Sequence, residues 1–297
     1  MKNPELLTPA WRDYELIDSG DFEKLERFGR SVLRRPEPQA VWHKSLTESE
    51  WQRLATASFS REGASDERGR WTLTAGQPEQ WRVGYDLCGH ELTMRLGLTS
   101  FKHVGLFPEQ ADNWGFIFDS VKRSRSPRPK VLNLFAYTGG ASLAGAAAGA
   151  EVTHVDSVRQ VVSWASENAA ASGLGGIRWI TDDALKFVRR ELKRGNRYDG
   201  IVLDPPAYGR GPEGEKWVLE QNISEMLTIC SELLLPNGFI VLNLYSMGFS
   251  ALLARTAVTQ LLGKAAEEQF GELFFADRAG KQLPLGVYYR ARYERDK

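Results

Sequence analysis

The sequence predicts an α/β fold, a mostly parallel sheet with helices between its strands and an antiparallel hairpin at the C-terminal end, preceded by a small, mainly β domain. Two patterns carry this. From residue 130 onward five apolar runs, KVLNLFA, EVTHVD, IRWIT, YDGIVLD and GFIVLNLY, alternate with segments of helical spacing at residues 140–149, 158–172, 184–194 and 217–235. Before residue 100 the chain instead shows short clusters of β-formers, DYELI, FEKLERF, WTLT, QWRVGYDL and HELTMRLGL, divided by turn residues.

The remaining elements follow from the same reading. After a helical segment at 250–262, AAEEQFGELFFAD and LPLGVYYRARY are strand-like runs joined by a short polar turn, which places a hairpin on the sheet edge. Residues 61–70, REGASDERGR, are polar and carry two glycines, so they read as an exposed loop. Residues 101–130 change texture and end in the basic, proline-bearing run KRSRSPRPK, the mark of a connecting segment. The expected division is therefore 1–100, 101–130 and 131–297.

Composition limits the function classes. With 297 residues, 42% of them hydrophobic and 26% charged, the chain is an ordinary globular one. Its formal net charge is zero, so any surface for nucleic acid must be local. The two cysteines, Cys88 and Cys230, lie far apart without CxxC spacing, and His43, His90, His103 and His154 show no ligand spacing. Neither a disulfide framework nor a metal site is expected. The N-terminal residues are interrupted by charges, and the most apolar segment, 141–150, is too short to cross a bilayer. A soluble, cytoplasmic protein without a membrane partner is the expectation.

In an open parallel sheet a ligand sits beyond the carboxyl ends of the strands. The first strand runs into Tyr137, Thr138, Gly139 and Gly140 ahead of a helix of small residues, where missing side chains let a cofactor reach the backbone. The second ends at Asp156, about as far downstream as a carboxylate that holds the two hydroxyls of a ribose. The third ends at Asp182 and Asp183 with Ala184, an acid beside a small residue that suits an adenine amine. Taken singly, the GG pair also reads as a turn, and Asp156 or Asp182 as a helix N-cap. The fourth strand ends in Asp204, Pro205, Pro206, Ala207, Tyr208, Gly209, Arg210, Gly211.

These strand ends, in this order, resemble those of the class I S-adenosylmethionine-dependent methyltransferases. More narrowly, FPEQADNW, LNLFAYTGG and DPPAYGRG together look like the ribosomal RNA large-subunit methyltransferase group that includes cytosine-C5 and guanine-N2 enzymes. The resemblance covers residues 101 to the C-terminus. It implies a Rossmann-like domain with a mostly parallel seven-stranded sheet, S-adenosyl-L-methionine as cofactor, S-adenosyl-L-homocysteine as product and RNA, above all ribosomal RNA, as partner. It further implies that Phe107, Pro108, Glu109 and Gln110 cover the cofactor, that Asn133, Phe135, Tyr137, Thr138 and Gly139 surround its methionine part, that Asp156 binds ribose, and that Asp182, Asp183 and Ala184 lie at adenine.

Methyl transfer from a sulfonium mainly requires a positioned nucleophile and exclusion of water. If the nucleophile is an exocyclic amine, the Asp204 carboxylate and a carbonyl near Pro205 could accept its two hydrogens, with Pro205 and Pro206 stiffening the turn. Tyr208 could stack on an extruded base, although many amine methyltransferases place the aromatic directly after the prolines, where this chain has Ala207. Packing within the loop is the other reading of Tyr208. Arg210 and Trp217, in the loop that follows, are expected on the acceptor side, and KRSRSPRPK could track phosphates or be a solvated linker. A cytosine-C5 enzyme needs a cysteine to add to the ring. Residues 243–247 read NLYSM, without one, and Cys230 lies in the apolar run MLTICSELLL, so nitrogen methylation is preferred.

A nicotinamide-dependent oxidoreductase shares the strand, glycine-turn, helix and acid order, but the first turn lacks GxGxxG spacing and DPP has no role in hydride transfer. A methyltransferase for a protein or small molecule, and a noncatalytic RNA-binding protein on the same fold, remain open at this level.

Overall fold

A computed structural model describes residues 3–62, 68–245 and 248–294. Residues 63–67 of the expected loop at 61–70, and Ser246 and Met247 after the fifth strand, lie outside the described residues. The chain divides into a smaller unit, residues 8–109 and 274–284, and a larger one, Met1–Leu7, Gln110–Leu273 and Leu285–Lys297. Strand β1 (Glu5–Leu7) belongs to the larger unit.

The smaller unit carries a five-stranded sheet of β2 (Tyr14–Gly20), β3 (Glu23–Phe28), β4 (Ser31–Pro36), β5 (Ala57–Arg61) and β6 (Gly69–Leu73), in that order. Its β4–β5 pair is parallel, the crossing being made through helix α1 (Glu48–Leu54). Thr47 and Glu50 start that helix as a reciprocal capping box, and its Trp51 is fully buried and donates to Asp18 at 2.8 Å. A second hairpin joins β7 (Gln80–Leu87) to β8 (His90–Gly97). The short β-former runs thus form strands, while β4, β5 and α1 join them from stretches that carry no clear alternation. Glu109 is buried in this unit beside Lys24, Glu26 and Arg35, and burial pushes its carboxyl up to about 7.

Where a connecting segment was expected, a one-turn 3-10 segment at Pro108–Gln110 leads from the smaller unit into helix α2 (Ala111–Lys122) of the larger one. Trp114, Ile117, Phe118 and Val121, at helical spacing, supply its buried face. Strand and helix then alternate: β9 (Lys130–Leu134), α3 (Gly140–Ala147), β10 (Glu151–Asp156), α4 (Arg159–Ala171), β11 (Ile177–Thr181), α5 (Ala184–Lys193) and β12 (Tyr198–Leu203). A small hairpin, β13 (Tyr208–Arg210) with β14 (Lys216–Val218), precedes α6 (Leu219–Leu233), β15 (Leu234–Leu244), α7 (Ala251–Leu262), β16 (Glu267–Ala276) and β17 (Gln282–Arg292).

The sheet order is β1-β16-β17-β15-β12-β9-β10-β11. Strands β15, β12, β9, β10 and β11 pair in parallel, and β17 enters antiparallel to β15. The expected seven strands are therefore present, and β1 adds an eighth, parallel to β16. Gly271 permits this addition, because a Cβ there would lie 1.7 Å from the Glu5 carbonyl oxygen. Phe187, Tyr198, Met226, Cys230 and Tyr289 pack one core of this unit. Among the described residues no helix is long and apolar enough to cross a membrane.

Candidate active site

Five strand ends of the larger unit meet along one edge: β9 at Leu134, β10 at Asp156, β11 at Thr181, β12 at Leu203 and β15 at Leu244. After β9 the backbone turns sharply, with Phe135, Tyr137 and Gly139 all at positive φ (56°, 48° and 92°). Left-handed non-glycine residues cost on the order of 1 kcal/mol or more each, so the surroundings must hold them. They do so through four hydrogen bonds: Ala136 N–H to the Val155 carbonyl (3.1 Å), Tyr137 N–H to Asp156 Oδ2 (2.9 Å), Gly139 N–H to the Ala136 carbonyl (3.1 Å), and Asn168 Nδ2 to the Thr138 carbonyl (2.9 Å).

The two glycines serve packing. A Cβ on Gly140 would lie 2.3 Å from the Trp114 ring of α2, and one on Gly139 would lie 3.0 Å from Ala165 of α4. Helix α3 therefore starts in close contact with its neighbours. Its N-cap, Gly139, offers no side-chain acceptor, so the first-turn amides remain suited to a ligand carboxylate or other anion. Asn133 is nearly fully buried and donates to Ser142 Oγ (2.9 Å), which in turn meets His154 Nδ1 (3.0 Å). Burial pushes the His154 imidazole down to about 3, so it stays neutral.

Asp156 is partly buried and accepts from backbone amides, Tyr137 through Oδ2 and Val158 through Oδ1 (3.0 Å), with the Ser157 amide also facing it. Burial outweighs these bonds and raises its carboxyl above the ordinary value. A carboxylate has about four lone-pair sites, so acceptor capacity remains for a ribose hydroxyl. Asp183 is the residue that caps α5, accepting from Lys186 N–H at 2.8 Å, with the buried Ala184 following it. Asp182 accepts from Asp183 N–H (2.9 Å) and pairs with Arg190.

Asp204 follows β12, its N–H reaching the Leu134 carbonyl at 3.4 Å, so its turn lies directly beside that of β9. Pro205 is buried, while Pro206, Ala207 and Tyr208 are exposed. Trp217, expected on the acceptor side, is instead buried (3% exposed): its indole donates to the Pro206 carbonyl (2.7 Å) and its ring lies 4.7 Å from that of Phe135. Leu219 N–H takes the Ala207 carbonyl at 3.0 Å. The loop expected on the acceptor side is the β13–β14 hairpin, anchored under the proline turn by this tryptophan.

Sequence reasoning did not find the polar cluster beside β15. Gln110 Oε1 accepts from Asn113 (3.0 Å) and Asn243 (2.9 Å), Gln110 Nε2 meets the Tyr245 hydroxyl, and Arg290 reaches Asn113 Oδ1 at 3.3 Å. The N of FPEQADNW and that of VLNLY were the visible signals, polar residues inside otherwise apolar runs. Of the expected cofactor cover, Gln110 belongs to the larger unit, and Phe107, Pro108 and Glu109 to the smaller. Cys230 is fully buried on α6, 3.9 Å from Met226 Sδ, with its thiol pushed up to about 12 by burial. Among the described residues no group of three or more His, Cys, Asp or Glu could hold a metal ion.

Comparison with known proteins accords with this geometry. A curated relative, ribosomal RNA large subunit methyltransferase K/L of Shewanella frigidimarina, is 33% identical over 153 residues, covering 50% of this chain and 20% of that protein. The chain thus matches about a fifth of the length of such relatives. A putative S-adenosylmethionine-dependent methyltransferase from Streptococcus mutans shares the fold, with a TM-score of 0.69 at 15% identity over 94% of this chain and 75% of that one. The structure of the S-adenosylmethionine-dependent methyltransferase from Agrobacterium tumefaciens superposes with a TM-score of 0.89 at 38% identity, covering 98% of this chain and 94% of its own. With residues 59–266 also matching the sequence profile of the S-adenosylmethionine-dependent methyltransferases, the chain belongs to that family and uses S-adenosylmethionine as methyl donor.

Proposed function

We propose that this enzyme methylates an exocyclic nucleobase amine in RNA, with ribosomal RNA as the favoured acceptor, and that Asp204 orients the amine. The observation that carries this reading is the closed proline turn. The carbonyls of Pro206 and Ala207 are taken by Trp217 and Leu219. We assign the Asp204 carboxylate and the Pro205 carbonyl as the acceptors for the two amine hydrogens.

Holding both hydrogens aims the nitrogen lone pair out of the base plane, which is the geometry an in-line displacement requires. The cofactor supplies a methyl group on a sulfonium sulfur. The N–C bond forms as the C–S bond breaks, and the nitrogen then releases a proton, for which Asp204, already bonded to the amine, serves as the base. Asp156 serves the ribose hydroxyls, the uncapped start of α3 with Tyr137, Thr138 and Gly139 serves the amino-acid part, and the Asp182–Ala184 turn serves adenine. The buried, high-pKa thiol of Cys230 supports nitrogen over cytosine carbon as the target. The ribosomal assignment draws on the named activity of the curated relatives and calls for a cytoplasmic protein.

The test is transfer of label from tritiated S-adenosylmethionine to undermodified ribosomal RNA. Asp204→Ala should lower the rate about 10²- to 10³-fold, the usual cost of removing one positioned polar group, and Cys230→Ala should retain it. The reverse pattern, or label found only in protein or small-molecule fractions, would overturn the reading.

A further inference from the structure

We infer that the β13–β14 hairpin is a phosphate clamp with an aromatic platform, built to hold the strand of single-stranded RNA that carries the acceptor base. This rests on the nucleobase reading above and names the part of the enzyme that grips the polymer.

The register sets Tyr208 opposite Val218, Gly209 opposite Trp217 and Arg210 opposite Lys216. Directly opposed residues share a face, so Tyr208, Arg210, Lys216 and Val218 lie on one side, and Gly209 and Trp217 on the other. The second side is the anchored one. Trp217 is buried against Phe135, and a Cβ on Gly209 would sit 3.6 Å from Pro206. The first side is therefore held at a fixed offset from Asp204, and it is open: Tyr208 is 51% exposed, and Arg210 and Lys216 are exposed.

Two cations directly opposite each other destabilise a hairpin unless an anion lies between them. This hairpin has two acids of its own at its turn, yet both Glu213 and Glu215 face away to Lys186 of α5, the latter at 3.3 Å. The arrangement thus keeps a pair of positive charges beside an exposed ring, next to the residue that orients the amine. An anionic backbone with flat bases satisfies both features at once, the phosphates between the cations and a base on the ring.

The experiment measures anisotropy of a fluorescein-labelled single-stranded RNA against the full chain over a range of salt concentrations. Each phosphate contact contributes about 0.7 to the slope of log affinity against log salt. Arg210→Gln with Lys216→Gln should lower the slope by about 0.7 per cation and weaken binding about 25-fold at 0.1 M salt. Arg210→Lys should keep the slope, and Tyr208→Ala should weaken binding at every salt concentration alike. S-adenosylmethionine affinity by calorimetry should not move, and the unfolding midpoint of the double variant should be at or above that of the wild type, because a like-charge contact is gone. An unchanged slope in the double variant, while the wild type methylates RNA, overturns the clamp alone. Wild type that grips RNA through these cations but never methylates it supports the clamp and overturns the nucleobase reading.

Discussion

The two ends of the parallel sheet carry similar residue types and use them differently. At the amino ends, the run KRSRSPRPK leads into β9, and its charges are met by acids of the same end: Arg128 pairs with Glu151 at the start of β10, and Arg123 with Asp119 and Glu267. Asp199, at the start of β12, accepts the Lys130 N–H at 2.8 Å. At the carboxyl ends Asp182 also pairs with a cation, Arg190, but the other acids are committed to the turns themselves. Asp156 holds the β9 turn and Asp183 caps α5, while Asp204 sits in a turn whose neighbouring carbonyls are already occupied. A surface ion pair is worth about 0–1 kcal/mol. An acid that fixes a strained backbone loop determines the shape of a site.

If the carboxyl end is shaped by packing beneath the β9 turn, removing that packing should have the largest effect. Trp114→Ala leaves a ring-sized space against Gly140 and should lower the unfolding free energy by about 3–5 kcal/mol, measured by chemical denaturation. Affinity for S-adenosylmethionine should fall with it. A variant of full stability and full affinity would mean that the turn holds its shape unaided. Next in size is Asp156→Ala, which loses charged acceptors for a hydroxyl pair and should weaken cofactor binding by calorimetry about 10- to 100-fold. An unchanged affinity would move the ribose elsewhere.

Much of this end was legible because its signals are local. A β run followed by GG, an acid after each of the next strands, and DPP after the fourth each occupy fewer than ten consecutive residues. The parts that were not legible depend on long-range partners. Trp217 reads as an acceptor-side residue in GRGPEGEKWV, since nothing nearby shows that its indole bonds to Pro206 eleven positions earlier. The hairpin lacks the Asn-Gly signature of a two-residue turn. Strand β1 is three residues long and pairs with β16 across nearly the whole sequence, and its one local trace is Gly271 inside a strand. Helix α2 hides in residues 101–130 because the flanking prolines and cations dominate the composition there. In the smaller unit, β4 carries three buried positions alternating with Val32, Arg34 and Pro36, a weak contrast for a pattern search.

Between the two ends, in the middle of β10, His154 is buried and neutral, which gives the larger unit a pH dependence. Its folded pKa, pushed down to about 3, lies below the unfolded value near 6.5, so its contribution is present above pH 6.5 and is lost as pH falls toward 3. Over the first one and a half pH units below 6.5 this loss should come to about 2 kcal/mol, read as the difference between wild type and His154→Gln in denaturation at several pH values. Asp156, its carboxyl raised by burial, should act in the opposite direction, since protonation relieves its burial cost as pH falls. His154→Gln should therefore not merely flatten the acid limb but let stability rise slightly there. Glu109, its carboxyl pushed up to about 7, adds stability as pH falls over the same range, so the wild-type limb alone does not isolate the histidine; identical pH profiles for wild type and His154→Gln would show that the interior of the sheet admits the charge.

The smallest effect is expected at the amino end, and it separates the two ends most directly. Arg125 and Lys130 are exposed and stand on the side of the sheet away from Asp204. A β-strand of five residues spans about 17 Å, so these cations are farther from the Leu134 turn than a Debye length of about 8–10 Å in physiological salt. Arg125→Gln with Lys130→Gln should change stability by less than about 0.5 kcal/mol and shift the RNA salt slope by less than the 0.7 or so of a single phosphate contact. A larger fall in slope would place part of the RNA path along the amino ends, and the acceptor strand would then have to wrap around the edge of the sheet to bring a base to Asp204.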